Sequence, residues 1–136
     1  MTAYILDSSA LIRYVDGEAG GDRVKSILHA CVTGRAGLQI SAVQWGEVAG
    51  NLRKRFGAER EESILSSLLP SEAEIVSASG ERAVHAAELR VDRKMAYADA
   101  FVLDLAMGSP DHIFVTADYG FKSVDNLIQI EFLPAK

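Results

Sequence analysis

A single cysteine, Cys31, occurs among the 136 residues, so no disulfide can close within the chain. That usage fits a reducing cytosol. No apolar stretch approaches the roughly 20 residues that span a bilayer as a helix. The apolar opening at residues 3–6 is also too short for a secretion signal, and Asp7 interrupts it. These readings place the protein in the cytoplasm and away from membranes. Basic residues are in deficit: 14 Lys and Arg against 19 Asp and Glu give a net charge of −5. Proteins that grip nucleic acid passively are usually basic, so that class is disfavoured. An enzyme that meets a phosphate backbone through metal ions remains compatible with an acidic chain.

Signatures of other chemistries are missing too. The three histidines, His29, His85 and His112, are scattered without zinc-ligand spacing and read as structural or surface residues. There is no P-loop and no G-x-G-x-x-G. No serine sits in a G-x-S-x-G elbow, which argues against a serine hydrolase.

What is present is a globular chain. Hydrophobic residues make up 49%, too many for disorder. The length suits one domain, residues 1–136, able to bury roughly two-thirds of its unfolded surface without disulfides or metal. Strands are expected at 3–6, 37–40, 73–79, 112–118 and 127–132. Helices are expected at 9–17, 22–32, 42–56, 58–69, 81–94 and 97–108. Val24, Ile27, Leu28 and Cys31 recur at helical spacing, and Ser41 with Gln44 forms a capping-box pattern. Several strands are continuous apolar runs that alternate with helices. That pattern predicts an α/β fold with a short, mainly parallel central sheet flanked by helices on both faces.

Most acidic residues lie on polar helix faces and read as solvated surface. Four others stand out. Asp7 and Asp118 end strands, and ligands of open parallel sheets bind beyond the carboxyl ends of strands. Helix capping or a turn is the ordinary role of each. Asp99 shares a helix face with Val102, Leu103 and Ala106, where a carboxylate is costly unless a cation, donor or water meets it. Its first-turn position is its ordinary explanation, because the helix dipole favours an anion there. Glu47 lies just off the stripe Trp45, Val48, Ala49 and Leu52 and close to a strand end, and an exposed surface role fits it equally. Asp104 lies on another face of the Asp99 helix, where a hydrogen bond to a neighbouring donor suits it. Several carboxylates at one sheet edge repel one another, and hard divalent cations such as Mg²⁺ or Mn²⁺ relieve that. Such ions also activate water for phosphoryl displacement.

Four segments in order, YILDSSALI (4–12), ISAVQWGEV (40–48), MAYADAFVLDLA (95–106) and FVTADYGF (114–121), resemble the PIN-domain nucleases. The closest likeness is to the VapC-type toxins of toxin–antitoxin pairs. The resemblance implies a single PIN-like domain and a Mg²⁺- or Mn²⁺-dependent endoribonuclease. It casts Asp7, Asp99 and Asp118 as metal ligands and Glu47 as a ligand or a guide for the attacking water. It makes Ser9 and Thr116 hydroxyl positions beside the acidic cluster, on the substrate side of the site. It also implies an antitoxin partner, seated in apolar grooves between the early helices, and a homodimer. Two departures are visible: Gly120 stands where many members have a further acidic residue, and Asp104 stands where they have a small or apolar one.

RNA would be held by basic and aromatic groups. Arg13, Arg53, Lys54, Arg55, Phe56, Arg90, Arg93 and Lys94 are the candidates, although charge at a helix carboxyl end explains residues 53–55 as well. A PIN-like module that lacks catalysis and serves as a scaffold is the competing reading, supported by Gly120 alone. A phosphotransfer domain with Asp7 as nucleophile ranks last, because the loop after it offers no second carboxylate.

Overall fold

Alternation along the first strand sets the layers of the fold. The computed structural model describes residues 1–136. In β1 (Ala3–Leu6), Ile5 faces one apolar cluster and Leu6 the other, because successive strand side chains point to opposite faces. A strand covered on both sides must be apolar at consecutive positions, which is why it reads as an uninterrupted run.

The other elements follow as α1 (Ser8–Val15), α2 (Gly21–Val32), β2 (Gly37–Ser41), α3 (Ala42–Phe56), α4 (Ala58–Leu68), β3 (Glu74–Val76), α5 (Gly80–Arg93), α6 (Tyr97–Ala106), β4 (His112–Thr116) and β5 (Gln129–Phe132). Leu6 joins Leu11, Val24, Ile27, Val48, Leu52 and Leu68, so α1 to α4 cover one face. Ile5 joins Ala86, Phe101, Leu105 and Phe114, so α5 and α6 cover the other. Every residue of α6 from Ala100 to Ala106 is buried, Asp104 included. The stripe Val24, Ile27, Leu28 and Cys31 of α2 is buried as its spacing requires.

The sheet has strand order β3-β2-β1-β4-β5, and every neighbouring pair is parallel. The chain runs outward from β1 to β3, then returns to lay β4 on the other side of β1. That reversal opens a crevice beyond the carboxyl ends of β1 and β4, where ligands of such sheets bind. Leu6 pairs with Val115, which brings Asp7 level with Thr116.

Three expectations need correction. The strand expected at 73–79 is the three-residue β3, pairing only along Glu74–Val76 at the sheet edge. The strand expected at 112–118 stops at Thr116, and Asp118 instead caps a 3-10 turn at Tyr119–Val124. The capping box at Ser41 is half formed: Ser41 Oγ accepts from the Val43 amide at 3.2 Å, while Gln44 turns away to partners on other elements.

Gly20 begins α2 with φ +86°, and a Cβ there would lie 2.8 Å from the Leu133 Cβ. Gly20→Ala is expected to cost about 1–3 kcal/mol of stability through backbone strain and crowding. Urea unfolding measures this, and a variant as stable as the parent would contradict the packing described.

Candidate active site

Asp7 follows β1 directly and caps α1 in extended conformation. It is only 4% exposed. Its Oδ1 accepts from the Ala10 amide at 3.0 Å and the Ser9 hydroxyl at 2.7 Å, and its Oδ2 accepts from the Thr116 hydroxyl at 2.6 Å. Burial pushes the carboxyl up to about 6, the donors Thr116, Ser9 and Ala10 pull it back down, and the Asp118 charge adds to the rise.

The two hydroxyls also join the strand ends. Ser9 Oγ accepts from the Ala117 amide at 3.0 Å, and Thr116 Oγ1 accepts from the Asp118 amide at 3.0 Å. Thr116 is completely buried, and its hydroxyl supports Asp7. Ser9 lines the open cleft as well as holding Asp7.

Asp99 lies in the first turn of α6, half-buried, and its carboxyl is also pushed up to about 6. Burial is the main cause, followed by the charges of Asp118, Asp7 and Glu47. The four carboxylates therefore share one electrostatic neighbourhood. None of them takes part in an ion pair. Asp7 caps α1, Glu47 lies in the second turn of α3 and Asp99 in the first turn of α6. The helix amino ends near these groups supply only partial positive charge. Glu47 and Asp118 line a cleft of about 520 Å³ together with Ser8, Ser9, Arg13 and Lys136. Asp7 and Asp99 are not part of that lining. No three acidic, histidine or cysteine side chains converge tightly enough to hold one ion as they stand.

Asp118 is exposed, and its Oδ1 accepts from the Gly120 amide at 2.8 Å. A Cβ at residue 120 would meet that oxygen at 3.0 Å. A side chain there would make the Asp118 carboxylate shift by a few tenths of an ångström, so the glycine suits the capping geometry.

Asp104 belongs to another cluster. Its carboxylate accepts from Arg82 at 2.7 Å and pairs with His85 Nδ1 at 2.6 Å, both on α5. They line a separate pocket of about 280 Å³. Among the basic candidates, Arg53 pairs with Glu61 and Arg55 with Asp16, and Arg13 donates to the carbonyls of Ala19 and Pro134. Arg53 and Arg55 thus tie α3 to α4 and to the end of α1. Sequence reasoning missed Lys136 and Gln44. Only the capping-box position pointed to Gln44, and it pointed to a different role.

The model of the PIN domain family matches residues 4–127. The chain belongs to the PIN domain family. A search of curated proteins finds no match to this PIN domain. Solved structures do match it. A chain of the VapBC2 complex from Rickettsia felis, bound to a fragment of promoter DNA, superposes with a TM-score of 0.74 at 19% identity, covering 98% of this chain and 100% of that one. A chain of DNA-bound VapBC from Salmonella typhimurium gives 0.70 at 22% identity, covering 97% and 98%. The sarcin-ricin-loop-cleaving toxin VapC20 of Mycobacterium tuberculosis gives 0.68 at 17% identity, covering 89% and 94%. At these identities the likeness establishes the fold.

Two outcomes test the electrostatics of this PIN domain. The Asp99 carboxyl rises from 3.8 to about 6, so the metal-free fold holds that proton more tightly than the unfolded chain does. Its contribution to stability is therefore full below the unfolded value and lost as pH rises through the folded one. Asp99→Asn is expected to raise Tm by about 2–4 °C at pH 7 in EDTA. That gain should vanish near pH 4, as differential scanning fluorimetry would show. Thr116→Val removes the donor to Asp7 and the acceptor for the Asp118 amide, costing about 1–3 kcal/mol. Urea unfolding should show a larger loss at pH 8, where Asp7 is charged, than at pH 5.

Proposed function

We propose that this PIN domain is a divalent-metal-dependent endoribonuclease, the toxin of a VapBC-type pair, acting in the cytoplasm as a single domain over residues 1–136. The observation that carries the reading is the acidic neighbourhood of Asp7, Glu47, Asp99 and Asp118. It lies at the β1–β4 crevice, and none of the four carboxylates is ion-paired with a lysine or arginine. Its donors are carboxylate oxygens, the ligand type that Mg²⁺ and Mn²⁺ take, so the residues present fit such an ion.

Asp7, Asp99 and Asp118 would hold Mg²⁺ or Mn²⁺, directly or through water. When bound, the ion supplies a water of lowered pKa and offsets charge on the phosphate. Ser9, Thr116 and the Ala10 amide keep Asp7 in one orientation. Glu47, exposed at the cleft, is placed to orient the attacking water and take its proton. Arg13, which donates to the Ala19 and Pro134 carbonyls, and Lys136, which pairs with Glu18, are the basic groups of the same cleft. RNA as the substrate is supported by the VapC20 relative, whose description is that of a sarcin-ricin-loop-cleaving toxin.

An antitoxin partner is supported by the relatives described as toxin–antitoxin complexes. A groove of about 410 Å³, with Tyr14, Val15, Phe56, Ile64 and Leu68 in its wall, lies between α1, α3 and α4 and suits an amphipathic antitoxin segment. Val84 and Val91 on α5, 61% and 74% exposed, suit a homodimer contact.

Purified protein incubated with cellular RNA is expected to cut it in Mg²⁺ or Mn²⁺ and not in EDTA. Asp7→Asn and Asp99→Asn should each lower the rate at least about a hundredfold while keeping the fold by circular dichroism. A variant that cuts as well as the parent would remove that residue from the site. No cutting with any metal, together with no metal binding by calorimetry, would leave the non-catalytic scaffold module.

A further inference from the structure

Gln44 is 1% exposed, yet its side chain is a polar amide. A leucine or methionine would fill similar space without the cost of desolvating polar atoms. Both ends of the amide are engaged, and both bonds leave α3. Oε1 accepts from the Ser8 amide at 2.7 Å, and Nε2 donates to the Ala98 carbonyl at 3.0 Å. Ser8 directly follows Asp7, and Ala98 directly precedes Asp99. Glu47 is three residues further along Gln44's own helix. One buried side chain therefore ties together the three segments that carry three of the four carboxylates.

Two further observations give this tie weight. The N-cap of α6, Ala96, makes no side-chain cap, so α6 has no cap of its own to fix where it begins. The charges of Asp7 and Glu47 also act on Asp99, so without an ion the segments repel one another. A lysine or arginine at residue 44 could donate to the Ala98 carbonyl, but it has no acceptor for the Ser8 amide and would bring a positive charge to the acids. The neutral amide meets both segments and leaves the acidic charge available to a cation.

We infer that Gln44 is a positioning residue for the metal site, fixing the spacing of Asp7, Glu47 and Asp99 through the Ser8 amide and the Ala98 carbonyl. The inference rests on the metal-dependent reading above. Groups that orient metal ligands typically change affinity about 10–100-fold when removed.

Mn²⁺ titration by calorimetry on the full chain tests it, beside melting in EDTA. Gln44→Met is expected to weaken Mn²⁺ binding about tenfold or more. Gln44→Asn retains an amide too short to reach both neighbours, and it should weaken binding likewise. It carries the comparison if the methionine variant does not fold. Leu52→Val, which thins the core two turns further along α3, should lose stability in EDTA and keep parental Mn²⁺ affinity. If the folded Gln44 variants lose stability but bind Mn²⁺ like the parent, Gln44 only stabilises the fold and the inference is overturned. If the parent itself binds no Mn²⁺, the metal reading falls, and this inference with it.

Discussion

A carboxylate held out of water between two parallel strands is the constraint on which this structure turns. Asp7 is nearly inaccessible, and a charge so placed is costly unless hydrogen bonds replace its hydration. Three donors do so: one from the first turn of α1, one from Ser9 and one from Thr116 across the sheet. Each fixes a larger feature. The Ala10 amide sets where α1 starts. The Thr116 hydroxyl requires β4 to lie beside β1 in the register that pairs Leu6 with Val115. The strand order with its reversal at β1 is what makes that neighbour available.

The treatment of charge within one helix shows how selective the design is. Asp99 and Asp104 both lie on α6. Asp104 is met by Arg82 and His85 and is fully satisfied. Asp99 meets no cation and feels three other acids. The basic residues nearest the early helices are likewise engaged elsewhere, Arg55 with Asp16 and Arg23 with Glu131. The crevice acids are thus left without ion pairs while Asp16, Glu18, Glu61, Asp104 and Glu131 have them, and an unpaired cluster of this kind is what a hard divalent cation suits.

The elements with strong local patterns were readable from the residue order. The apolar run into Asp7, the helical stripe of α2 and the almost uniformly apolar α6 each follow from periodicity. The four carboxylates could be named from motif order, and the structure brings them within electrostatic reach of one another. Ser9 and Thr116 were named with them as hydroxyl positions, but the bonds that tie both to Asp7 were not legible. Gln44 sits at a capping-box position, and only contacts 36 and 54 residues away show that it bridges other segments instead. Thr116 meets Asp7 only because β4 is laid against β1. The early end of β4 and the 3-10 turn at Tyr119–Val124 depend on Asp118 capping through Gly120, a two-residue geometry that strand propensity does not register.

The bond between Thr116 and Asp7 spans 109 residues of chain. Contacts so distant in sequence form late, because most of the chain must be in place before its ends meet. A polypeptide that stops short of β4 has Asp7 with only its local donors, no Asp118, and no neighbour on one side of β1. Unfinished translation products therefore lack the assembled crevice. The crevice is thus a property of the chain once β4 lies beside β1, because the strand order makes its two walls from opposite ends of the sequence.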